Sequence, residues 1–138
     1  MKKAKAVYEF LPIYNRHIFY SNSVQAARDL VKKSFKAEEV DLTAFDDLAA
    51  IDGIVIPVMC PNDDERVRAF VVIVLDEAQH WYGTIGHECN HLKNKILFYL
   101  GHELDELNDE AESYLVGYLV QAFHEKIGGA KVEKVKTK

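Results

Sequence analysis

The sequence predicts an α+β fold, and three observations carry the prediction. Two short β-rich runs open the chain, Ala6–Tyr14 and Arg16–Ser21. A second pair, Gly53–Cys60 and Arg66–Asp76, flanks the turn sequence Pro61-Asn62-Asp63-Asp64. Helical periodicity fills Val24–Phe35 and returns in two long segments of the C-terminal half. Strand pairs mixed with helices in this way imply a small, mainly antiparallel sheet with helices packed on it. The chain has 138 residues, 49% hydrophobic and 28% charged, enough for one core but not two.

Each element has its own reason. The first two runs are expected to pair as a hairpin with Asn15 in the turn, and Pro12 confines the first to an edge or a bend. Tyr8, Phe10, Tyr14, Phe19 and Tyr20 are read as core. Ser23 is an N-cap, followed by Val24, Ala27, Leu30, Val31 and Phe35 at helical spacing. Lys32, Lys33 and Lys36 complement the end of that helix dipole. Ala37–Ile51 is acidic and leaves a short helix or an irregular loop open; Asp41, Asp46 and Asp47 lack the spacing of a calcium loop. Pro57 makes Gly53–Cys60 an edge or kinked strand. Phe70 to Leu75 is apolar at consecutive positions, so that strand is expected to be buried on both faces.

The third segment carries chemistry. Gly86-His87-Glu88-Cys89-Asn90-His91 contains HExxH. Residues four apart on a helix share a face, so His87 and His91 can point at one ion. Glu88 is rotated about 100° from His87, where it reaches a water at an open metal position without being a ligand. A catalytic zinc takes three protein ligands. The helix is expected to start at an N-cap Thr84, to bury Ile85, Cys89, Leu92, Ile96 and Tyr99, and to stop at Gly101. Cys89 then belongs to the apolar stripe, and Trp81 to the core. A last helix is expected from an N-cap Asn108, with Asp109 and Glu110 in its first turn, to about Lys126, where Gly128-Gly129 ends it. The domain thus covers residues 1–127, and residues 128–138 form a basic tail expected to be disordered.

Candidates for the third ligand are His102, Glu103, Asp105, Glu106, Asp109, Glu110, Glu112 and His124; a ligand on a second packed helix is held better than one on a loop, which favours Glu110 or Glu112. Eighteen residues separate His91 from Glu110. Here the sequence resembles the gluzincin peptidases, in which HExxH is followed about eighteen to twenty residues later by a glutamate ligand. It does not fit the metzincin pattern, since Asn94 and Leu97 stand where that needs Gly and His. The closer resemblance is to small phage-encoded zincin-like proteins, through Gly83-Thr84-Ile85-Gly86-His87-Glu88-Cys89-Asn90-His91 and Asn108-Asp109-Glu110-Ala111-Glu112-Ser113-Tyr114-Leu115-Val116-Gly117-Tyr118. The resemblance covers the C-terminal half well and implies a minimal zincin-like fold, Zn2+ as cofactor, and Glu110 as third ligand. Gly117, near the face of Glu110, is expected to let the two helices approach closely. Where larger gluzincins carry Asp or Asn, Tyr114 stands and is read as a hydrogen-bond donor to a ligand or to the reacting carbonyl.

The expected function is zinc-dependent peptide-bond hydrolysis with His87, His91 and Glu110 on the metal, Glu88 as general base and Tyr114 assisting. Arg68–Leu75 is expected to run beside the site and pair with an extended substrate. The alternative is a phage or mobile-element metal-binding protein that captures a host protein without turnover; it has no use for a general base, so Glu88 favours the enzyme. The net charge of −5 argues against a nucleic-acid binder. No apolar run reaches about 18 residues, so no membrane span is expected. Two cysteines, one inside the motif, point to a reducing cytoplasm, which for a phage protein is that of the bacterial host.

Overall fold

Among the described residues, β1 (Ala6–Leu11), β2 (Arg16–Ser21), β3 (Gly53–Cys60) and β4 (Asp63–Val74) form one sheet in the order β1-β2-β4-β3, with helices on both of its faces. The computed structural model describes residues 3–46, 48, 51–102 and 109–128. β1 (Ala6–Leu11) and β2 (Arg16–Ser21) make the expected hairpin. Its turn contains Asn15 at φ 51°, a left-handed conformation that asparagine tolerates. β3 (Gly53–Cys60) and β4 (Asp63–Val74) form a second antiparallel pair. The link between the two hairpins adds one parallel pairing to a sheet that is otherwise antiparallel, as expected. β2 runs parallel to β4, with Ile18 opposite Phe70 and Tyr20 opposite Val72, so the sheet is mixed.

β4 is therefore a central strand, and its consecutive apolar run serves two cores. Phe70, Val72 and Val74 face one side, with Ile18, Tyr20 and Val55. Ala69, Val71 and Ile73 face the other, with Phe19, Ile56 and Val58. On that second side lies α1 (Val24–Ser34), whose first turn is closed by a hydrogen bond from the Ala26 N–H to the Ser23 hydroxyl at 3.1 Å. Ala37–Glu39 and Thr43–Phe45 are single 3-10 turns, and Phe45 from the second closes the same core. Asp47 lies outside the described residues. Of the aromatic residues read as core, Phe19 and Tyr20 are buried, whereas Tyr8 and Phe10 remain exposed on the edge strand.

The first side is covered by α2 (Trp81–Tyr99) and α3 (Glu110–Lys126). α2 begins three residues before Thr84. Trp81 is buried and anchors the first turn, and the Thr84 N–H donates to the His80 carbonyl at 2.7 Å, so Thr84 is a helical residue rather than a cap. The other end is as expected. Gly101 takes φ 76°, its N–H donates to the Phe98 carbonyl, and the His102 N–H donates back to Leu97 at 3.0 Å. This is a Schellman turn, and it folds His102 back over the end of the helix. α3 is preceded by Asp109, with no side-chain cap bond. The expected cap Asn108 and the tail from Gly129 onward lie outside the described residues.

Candidate metal centre

α2 rests on the sheet through Trp81, Ile85, Cys89, Leu92 and Ile96. This stripe leaves His87 and His91 on an exposed flank and turns Glu88 inward, where it is 7% exposed. The two imidazole Nε2 atoms lie 3.1 Å apart, with the rings at 84° to each other. A hydrogen bond between neutral imidazoles has this length. So, nearly, do two ligands of one ion: nitrogens about 2.0–2.1 Å from a tetrahedral zinc lie about 3.3 Å apart. The histidine pair therefore fits zinc as a donor set. Cys89 is fully buried among apolar neighbours, and burial pushes its thiol up to about 12. It serves as a small core residue, as the stripe implied.

Burial also pushes the Glu88 carboxyl above the usual carboxylate range, and the charges on His87 and His91 pull it back. What lies over Glu88 was not foreseen. Gly53 opens β3, and a Cβ there would sit 2.7 Å from Glu88 Cγ, 2.9 Å from Thr84 Cγ2 and 3.1 Å from the Ile73 carbonyl oxygen. Only a glycine lets helix and strand approach this closely. A glycine beside a strand is itself a sign of such an approach, and that signal was present in the sequence. Gly53, Ile54 and Val55 border a cavity of about 310 Å³ with His87, Glu88, His91 and Lys95.

This geometry corrects the strand beside the site. β4 is paired to β3 along its length and to β2 over Ala69–Ile73, so most of the stretch expected to take a substrate is already paired on both edges. β3 is an edge strand, and its Gly53–Val55 end borders the histidines.

The remaining expected residues are placed less simply. Glu110 is the first residue of α3 and is exposed. Gly117, near the same face, is also exposed, and a Cβ on it would meet nothing within 4 Å. The close helix–helix approach expected there does not occur. α3 packs instead through Glu112, Leu115, Leu119, Ala122 and Phe123. Tyr114 is 72% exposed and borders a groove with Phe10, Ile13 and Tyr118. It borders neither the cavity under β3 nor the one described next.

A second cavity, about 460 Å³, is bordered by His91, Lys95, Tyr99, His102 and Glu112. His91 thus stands between two cavities. Among the described residues, however, no group of three His, Cys, Asp or Glu side chains is close enough together to hold a metal ion. Among the described residues the histidine pair is assembled without a third partner. Comparison with protein-family models, with curated proteins and with solved structures finds no match.

Proposed function

We propose that the chain is a zinc-dependent peptide hydrolase. The observation that carries this reading is the convergence of the His87 and His91 Nε2 atoms at 3.1 Å beside a buried Glu88. His87 and His91 would hold the ion, with a carboxylate from the first turn of α3 as third ligand. Zinc, when bound, supplies Lewis acidity that polarises a carbonyl and acidifies water. Glu88 takes a proton from the attacking water and delivers it to the leaving amine. Its burial supports that role, because a raised pKa brings a carboxylate nearer to the poise a general base needs at neutral pH. An extended peptide adds to the free edge of β3 through backbone hydrogen bonds, which brings its scissile bond past Gly53–Val55 to the histidines.

The rival reading, a metal-binding protein that captures a host protein, needs the histidines but no buried base beside them. The proposed setting is the cytoplasm of a bacterial host, supported by two free cysteines. Among the described residues, no helix is long and apolar enough to cross a membrane. Metal analysis tests the site. The purified protein should carry one zinc per chain, and His91→Ala should lose it while remaining folded. A folded wild type that takes up no zinc overturns the proposal.

A further inference from the structure

The disagreement over the third ligand has a physical resolution. Glu112 is 3% exposed, and neither of its carboxylate oxygens has a hydrogen-bond partner among the described residues. The Nε2 atom of His102 is 4.0 Å from one of those oxygens, beyond hydrogen-bond reach and at the outer limit of an ion pair for a protonated imidazole. A bare buried carboxylate is strongly unfavourable unless a cation meets it. The cavity it borders is the one that reaches His91.

Helix geometry separates the two candidate glutamates. At about 100° per residue, Glu112 lies within about 20° of Leu119, on the face that packs into the core. Glu110 lies about half a turn from Leu119, on the solvent side. Leu115, Leu119 and Phe123 are all buried, so α3 cannot rotate Glu110 inward without exposing them. Glu112 also keeps the chain spacing, with twenty residues between it and His91.

We infer that Glu112, not Glu110, is the carboxylate that completes the metal site with His87 and His91. This rests on the zinc reading above. His91 and Glu112 are not within coordination distance of each other as they stand. Completing the site requires the carboxylate to move through the cavity that both border. His102, held at the helix end by the Schellman turn, lines the same cavity.

The experiment is zinc titration of the full-length protein against a chromophoric chelator, with thermal melts in EDTA. Glu112→Gln should weaken zinc by more than about a hundredfold, beyond the roughly 10–100-fold that outer partners of a ligand carry. In EDTA it should melt at or above the wild-type temperature, because it removes a buried carboxylate that makes no hydrogen bond. Glu110→Gln should change zinc affinity by less than about tenfold, below what even an outer partner carries, and leave the melt alone. Should Glu112→Gln fail to fold, cobalt-substituted Glu112→Asp and Glu110→Asp decide the matter. The visible spectrum should shift for the first and stay for the second. Tight zinc in Glu112→Gln with loss in Glu110→Gln overturns this assignment and leaves the histidine site intact. A wild type that binds no zinc overturns both.

Discussion

The two faces of the sheet bury similar apolar side chains but differ in what else they bury. The α1 face closes over Phe19, Val31, Ile56, Val71 and Ile73. The α2–α3 face closes over Ile18, Tyr20, Phe70, Leu92 and Phe123, and both buried carboxylates, Glu88 and Glu112, lie on its helices. No buried acid stands on the α1 face among the described residues. A carboxylate in an apolar setting subtracts stability. For Glu88 the sign is explicit: burial raises its pKa, so the folded state holds a proton that the unfolded state has released. Its contribution to stability therefore falls as pH rises from the ordinary carboxylate range through the raised value. The α1 face gives up no stability in this way among the described residues. The other gives some up, and it does so beside the histidine pair.

The contrast breaks most readily on the stable face. Phe19→Ala should cost about 3–5 kcal/mol, the usual scale for emptying a fully buried aromatic site. Zinc affinity, titrated well below the urea midpoint, should match wild type. A large affinity change in the folded variant would mean that the two faces are coupled through β4.

Gly53→Ala sharpens the comparison from the other side. The added methyl would meet Glu88 Cγ at 2.7 Å and strand backbone at 3.1 Å, so helix and strand must part. Overpacking of this kind costs about 1–3 kcal/mol. Hydrolysis should fall more than zinc affinity, because the methyl presses on Glu88 and not on the histidines. A variant with wild-type stability and wild-type turnover would show that the close approach constrains nothing.

Much of this was legible in the sequence, for local reasons. Gly53–Cys60, the Ser23 cap, the Asn15 turn and the Gly101 stop depend on nearby residues, and the structure has them as expected. The apolar run in β4 announced a strand buried on both faces. It could not announce that β2 would pair with it in parallel, because strand order depends on contacts far apart in the chain. The rotation of α3 was readable but misweighted. Glu110, Tyr114 and Gly117 form one stripe, and Glu112, Leu115, Leu119 and Phe123 form another. The first promised a close approach at one glycine, while the second buries three large apolar side chains at roughly 1.5–3 kcal/mol each for leucine or phenylalanine. Burial decided the face.

The central claim is that Glu88 is a base and not a ligand. Glu88→Gln tests it most directly, since the amide keeps the size of the side chain and loses only the basic oxygen. Zinc content should stay at the wild-type level, and hydrolysis of a peptide that the wild type cleaves should fall by about a hundredfold or more, the scale of general acid–base catalysis. Full turnover by this variant would contradict the account, and loss of its zinc would make Glu88 a ligand instead.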